Sequence, residues 1–210
     1  MKQRKPELTF VSANGFPIEV YRIQPDDAGF LVDLFEHMST DSRYMRFNQY
    51  LTTVDPEIVR REAEHIAMVD PARGLAVVAF ADLPGQPNAP VAGARYVRTQ
   101  VPEEAEVAVS VRDDMQHQGI GARLLLFLIS EARRDGVRAL VGTFLTSNRR
   151  IWAMLAESPF ESTTVIDGFQ TSVRIDLEAP PRVSEAAKET SISYLTDWLE
   201  REAGGQPEGN

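Results

Sequence analysis

The sequence predicts a mixed α/β fold built on one central sheet, and three observations predict it. Apolar residues recur with helical period in the first third of the chain and again over 120–134. Short runs rich in β-formers lie after the first helical group and on both sides of the later ones. The two kinds of segment alternate along 210 residues without an internal repeat, a length that suits one domain with tails.

Residues 1–15 are a polar lead-in ending in Asn14-Gly15, read as a mobile stretch or an added edge strand. Ile18, Val20 and Ile23 belong to a strand that stops at Pro25. Asp26 or Asp27 then caps a helix bearing Phe30, Leu31, Leu34, Phe35 and Met38. A second helical segment covers Ser42–Phe47. A third starts at Asp55-Pro56, with Asp as N-cap and Pro at the first helical position, and carries Ile58, Val59, Ala63 and Ile66.

From Gly74 the period changes. Leu75–Ala81 is a strand, 83–88 a turn or loop, and Val91–Arg98 the returning strand of a hairpin. Ala105–Arg112 is a further strand. Ile120–Arg134 is a helix turning Leu124, Leu125, Leu128 and Ile129 inward, closed by Gly136. Ala139–Leu145 is a strand, Asn148–Glu157 a helix, and Val165–Leu177 one or two last strands. After Ala179-Pro180-Pro181 the chain turns polar. Ile192, Leu195 and Leu199, flanked by Tyr194 and Trp198, then suggest a short amphipathic helix. It would dock on its own domain, on a second subunit of a homodimer, or over a binding site. Gly204–Asn210 has a disordered composition.

Composition removes several classes of function. There is no cysteine, so thiol catalysis and thiolate metal sites are excluded, and the three histidines, His37, His65 and His117, lack ligand spacing. No metal is therefore expected. A net charge of −9 argues against non-specific nucleic-acid binding and suits a cationic partner or plain solubility. No apolar stretch follows the basic start Met1–Lys5, and none is long enough to span a bilayer. No membrane association and a cytoplasmic location are the expectation.

The chemistry concentrates in Glu104–Leu125. A strand ending near Arg112 runs into Gln116-His117-Gln118-Gly119-Ile120-Gly121 and directly opens a helix. Such a turn aims unpaired backbone N–H groups, at the positive end of a helix dipole, at one spot, where a diphosphate can bind. Gly119 and Gly121 keep Cβ atoms out of its way. The third glycine of a dinucleotide fingerprint and the Gly-Lys-Ser/Thr of a nucleoside-triphosphate loop are both missing. By spacing alone the turn is as often purely structural.

Gln116-x-x-Gly119-x-Gly121 followed by Leu124-Leu125 resembles the Q/R-x-x-G-x-G/A signature of the GNAT superfamily of N-acetyltransferases. Asn148-x-x-Ile151-x-x-Met154, with Pro159-Phe160 after it, resembles that family's second motif, and the resemblance covers 16–178. It implies a central, mostly antiparallel sheet splayed at the motif strand and flanked by helices, with 179–210 as a tail. It implies acetyl-CoA as acyl donor, pantetheine bonded by the backbone of Val109 and Val111, and the diphosphate held by Gln116, Gln118, Gly119, Ile120, Gly121 and Ala122. Asn148 would bond pantetheine or the acyl carbonyl. Arg112, Arg123 and Arg149 would flank the phosphates or form surface salt bridges.

Two positions depart from the family. Leu155 stands where a Tyr often serves as general acid, and Pro159 stands where Gly is usual. Two segments are similar to bacterial protein-lysine acetyltransferases: Asp41-Ser42-Arg43-Tyr44-Met45-Arg46-Phe47, and Ala105-Glu106-Val107-Ala108-Val109, whose Glu is the proposed general base there. That likeness makes Glu106 the catalytic candidate. The chemistry wants such a group, because a lysine amine with a pKa near ~10.4 arrives protonated at neutral pH and must lose a proton before it attacks a thioester. Three functions stay open: acetylation of a lysine-bearing protein, acetylation of a small amine, and sensing of acyl-CoA without efficient transfer.

Overall fold

The structure is a computed structural model in which residues 4–47 and 54–179 are described. The amphipathic helix expected around Ile192–Leu199 lies outside the described residues. β1 (Leu8–Val11) pairs with β2 (Pro17–Arg22), and a 3-10 turn at Pro25–Asp27 leads into α1 (Ala28–Glu36), α2 (Thr40–Phe47) and α3 (Pro56–Ala67). β3 (Gly74–Leu83), β4 (Gln86–Arg98) and β5 (Glu104–Val111) form an antiparallel meander. A second 3-10 turn, Asp113–Met115, precedes α4 (Ile120–Arg134), which crosses to β6 (Ala139–Leu145). α5 (Arg149–Glu157) leads to the hairpin of β7 (Ser162–Asp167) and β8 (Gln170–Asp176).

The eight strands lie in the order β1-β2-β3-β4-β5-β6-β8-β7, and β5–β6 is the one parallel pair among them. This is the mostly antiparallel, helix-flanked sheet that the sequence resemblance implies. α4 supplies the long connection that a parallel pair requires.

Local chemistry explains the element ends. The Asp55 carboxylate accepts from Glu57 N–H at 2.9 Å and caps α3. At the end of α4, Gly136 adopts φ +76, Gly136 N–H bonds Arg133 C=O at 3.0 Å and Val137 N–H bonds Ala132 C=O at 2.8 Å. That is a Schellman closure, which needs a residue tolerant of left-handed geometry. Asp27 precedes α1 but spends its carboxylate on Gln24 N–H and the Arg4 guanidinium.

The β3–β4 hairpin is tighter than the sequence suggests. Its proline-rich stretch reads as a loop, yet β4 begins at Gln86 and only Pro84-Gly85 separates the strands. Register shifts after Ala79 and Ala81 let Pro87 and Pro90 sit in the ladder despite their missing N–H.

The core has two sides. Leu124, Leu128 and Ile129 of α4 are fully buried against Val77, Ala79 and Val91 on one face of the sheet. Each such side chain contributes about 2 kcal/mol by burial. On the other face, α1 and α3 pack through Leu31 and Ala67 against Ile23 and Ala76. Tyr96, 1% exposed on β4, donates its hydroxyl to the Asp135 carboxylate and ties the sheet to the end of α4. Burial and then that hydrogen bond hold its phenol well above the usual range.

Candidate active site

β5 and β6 run together for only three rungs, Glu104↔Ala139, Ala105↔Leu140 and Glu106↔Val141, although β5 continues to Val111 and β6 to Leu145. The direction of the β5 peptides follows from its other neighbour. Arg112 N–H bonds Val91 C=O at 3.0 Å around the Val111↔Ala92 pair, so the peptide groups of Val107, Val109 and Val111 turn away from β4. Glu103 C=O, of the same parity, accepts from Arg138 and Ala139 at the foot of β6. Beyond the third rung these groups face a cleft of about 850 Å³ that reaches from Glu106 to the first turn of α4 and to Asn148.

That first turn is built of backbone. Gly119 is the N-cap of α4 at φ +77, a left-handed conformation that L side chains adopt at a cost, and no side chain caps the helix. The opening amides at Ile120, Gly121 and Ala122 thus lack side-chain partners and carry the positive end of the helix dipole. Gly121 has a different reason. A Cβ there would meet Val111 Cγ2 at 3.6 Å and Val109 Cγ1 at 3.8 Å, ordinary contacts that leave room for alanine.

The flanking side chains are committed elsewhere. Gln116 Nε2 donates to Val111 C=O at 3.0 Å and to Ser42 Oγ at 3.1 Å, and its Oε1 accepts from Arg150. It clasps the end of β5 to α2 and α5 and occupies the carbonyl of Val111, one of the two residues whose backbone is expected to meet pantetheine. Gln118, 5% exposed, turns inward to Asp114 C=O. His117 is exposed at φ +59. Arg112 is buried and forked onto Asp114 at 2.6 and 2.9 Å, Arg123 lies 5.1 Å over the Phe10 ring, and Arg149 is exposed.

Asn148 is the N-cap of α5: its Oδ1 accepts from Ile151 N–H at 3.3 Å, which leaves the amide nitrogen for a ligand. Leu155 is buried at 8% exposure and offers no proton.

Side-chain parity separates the two faces of β5. Val107, Val109 and Val111 look towards α4, whereas Glu106, Ala108 and Ser110 look towards α1 and α3. On that second face a recess of about 630 Å³ has Gly93, Ala108 and Ser110 as floor and Leu34, Val59 and Ile66 among its walls. Arg46 of α2 borders both spaces, and its Nε donates to Ser110 Oγ at 3.0 Å. Burial, then the like charge of Arg95, pushes the Arg46 pKa down to about 10, against the opposing pull of Glu106. Glu106 itself is exposed at the last rung.

The turn, Glu106 and Asn148, singled out in the sequence, border the one cleft, whereas Arg95 and Ser110, not singled out, border the neighbouring recess. The only available signal was the alternation of small residues with Glu106 along β5, together with Arg95 on the strand paired to it. Among the described residues no three acidic or histidine side chains could hold a metal ion, and no helix is long and apolar enough to cross a membrane.

A splayed parallel seam with a bare helix N-terminus at its mouth is the arrangement that the sequence resemblance implies for a CoA-dependent acyltransferase. The chain belongs to the acetyltransferase (GNAT) family, whose sequence model matches residues 32–157, and it is an acyl-CoA-dependent N-acyltransferase. The solved GNAT domain of S. lividans PAT is similar at 23% identity and TM-score 0.67, over 82% of this chain and 99% of that one. The PaiA N-acetyltransferase of Thermoplasma acidophilum, solved with coenzyme A, aligns at 15% identity and TM-score 0.58 over 76% of this chain and 98% of its own. A cAMP-binding acyltransferase from Mycobacterium smegmatis aligns at 20% identity and TM-score 0.54; the match takes in 96% of this chain and 56% of that longer one. At these identities the likeness establishes the shared fold. No curated protein sequence matches the chain.

Proposed function

We propose that the chain transfers an acetyl group from acetyl-CoA to the side-chain amine of a protein lysine, with Glu106 as general base. The carrying observation is the position of Glu106 at the last β5–β6 rung, exposed where the cleft begins. The amides of Gly119, Ile120, Gly121 and Ala122 seat the diphosphate, and the Val109 peptide, free of the Gln116 clasp, bonds pantetheine and faces the developing oxyanion. Asn148 contributes its amide nitrogen. Glu106 takes the proton of the incoming ammonium, directly or through a water. The neutral nitrogen then forms the C–N bond as the thioester C–S bond breaks. Leu155 has no proton to give, so the departing thiolate is protonated by water.

The two segments similar to protein-lysine acetyltransferases, Ser42–Phe47 and Ala105–Val109, support lysine as acceptor, and both border the cleft. The same reading makes the cytoplasm the working compartment. The test is mass spectrometry of acetyl transfer from acetyl-CoA to a set of lysine peptides and a set of small amines. Acetyl-lysine should form on the peptides. Transfer confined to small amines would overturn the lysine assignment and leave the base assignment standing.

A further inference from the structure

We propose that Arg46 and Arg95 form a carboxylate-binding subsite beside the reaction point, filled by a carboxylate on either the acyl group or the acceptor amine. The proposal rests on the acyl-transfer reading above and deepens it, because it names a chemical feature of the substrate.

The argument begins with what the two guanidinium groups lack. A guanidinium carries five N–H donors in a planar fork. Among the described residues, Arg95 makes no hydrogen bond or ion pair, and Arg46 hydrogen-bonds the neutral Ser110 hydroxyl and lies 5.1 Å over the Phe47 ring, with no carboxylate partner. Several other arginines are bridged to acids: Arg4 to Asp27, Arg60 to Glu57 and Glu64, Arg112 to Asp114 and Arg174 to Glu104. In a chain with 31 Asp and Glu against 22 Lys and Arg, two convergent arginines left without a carboxylate stand out.

Position identifies the missing anion as part of a substrate. Arg95 pairs across the ladder with Ala108, one same-face step from Glu106 and one from Ser110, where Arg46 is anchored. The floor of Gly93, Ala108 and Ser110 carries only small side chains, while the walls contributed by α1 and α3 are largely apolar, with Glu62 and His65 among them. An apolar recess weakens screening and strengthens a charge-assisted bond. Arg46 and Arg95 share the recess with Glu62 and lie beside Glu106, and among the described residues neither guanidinium is bridged to either acid. A planar, bidentate partner is what two forks match, which favours a carboxylate. The CoA phosphates have their own seat at the far end of the cleft. The depressed pKa of Arg46 agrees with this geometry, since burial and the like charge of Arg95 oppose its own and outweigh the pull of Glu106.

Calorimetry on the full chain decides the matter in two arms. The donor arm compares succinyl-CoA with acetyl-CoA. The acceptor arm, run with CoA present, compares a lysine peptide flanked by Glu with the same peptide flanked by Gln. In one arm the carboxylated partner should bind roughly tenfold tighter or more, the usual worth of a charged hydrogen bond. Arg95→Gln should erase that preference. Should that variant fail to fold by circular dichroism, Arg95→Lys keeps the charge, loses the fork and should weaken the preference. A donor-arm preference assigns the carboxylate to the acyl group, and an acceptor-arm preference assigns it to the amine. Equal affinities in both arms, or a preference untouched by the Arg95 variant, overturn the subsite. Turnover of acetyl-CoA with the lysine peptide is scored separately: its absence counts against the acyl-transfer reading, whereas the binding ratios alone decide the subsite.

Discussion

The two faces of β5 are built by different means. Towards α4 the site is made of backbone: bare amides at a helix start, strand peptides past the last rung, and a left-handed glycine between them. Towards α1 and α3 it is made of side chains drawn from α2, β4 and β5, namely Arg46, Arg95, Ser110 and Glu106. A backbone site tolerates sequence change but not added atoms. A side-chain site does not tolerate the loss of one functional group. The coenzyme is common to the family and the acceptor is not, so the division suits what each face has to recognise.

The sharpest way to break this contrast is on the side-chain face. Glu106→Gln keeps size and removes basicity, so acyl transfer at neutral pH should fall by roughly 10²–10⁴-fold. The deficit should shrink as pH rises towards the amine's pKa of ~10.4, because more acceptor then arrives neutral. Acetyl-CoA affinity should hold. Near-normal turnover at pH 7 would rule Glu106 out as the base.

On the backbone face the largest effect should come from Gly119→Glu, which adds both atoms and a negative charge. At 4 Å and an effective dielectric near 20, repulsion of about 4 kcal/mol corresponds to about a thousandfold loss of acetyl-CoA affinity. Calorimetry alongside circular dichroism checks it, and unchanged affinity in a folded variant would remove the proposed diphosphate seat.

Alanine substitutions sharpen the comparison inside that face. Gly119→Ala meets φ +77 and should cost about 1 kcal/mol, a fall in Tm of about 2–4 °C. Gly121→Ala meets only 3.6 and 3.8 Å contacts and gains helix propensity, so Tm should hold or rise. Equal losses in both would show that the two glycines share one role. The smallest effect belongs to Arg95→Gln. Removing its charge relieves Arg46, and because Arg95 is partly exposed the gain should stay within about 2 °C by thermal melting. A fall in Tm would mean that Arg95 holds the fold together.

The backbone half was legible in the sequence for a physical reason. Strand, turn, glycines and helix start are consecutive, so Val109, Val111 and Gly119–Ala122 could be read as one unit. Glu106 and Asn148 were legible because each sits in a motif of its own. What could not be read was how the side chains spend their bonding capacity. Gln116 looks like a ligand in the motif yet clasps Val111 C=O, and Gln118 points inward. The Arg46–Ser110 bond spans 64 positions, and Arg95 meets them only through strand register. The hairpin of β3 and β4 was legible, but the start of β4 at Gln86 escaped because the prolines mimic a loop, and only the bulges reveal how they fit.

The three-rung seam also has a mechanical consequence. The five strands β1–β5 and the three strands β6, β7 and β8 form two plates, whose backbones are laced to each other at the short stretch Glu103–Glu106 against Arg138–Val141. A sheet so joined is stiff within each plate and compliant across the gap. A molecule that threaded the gap and bonded the β5 peptides there would act as a keystone between the two plates, and its departure would leave the short lacing alone to join them.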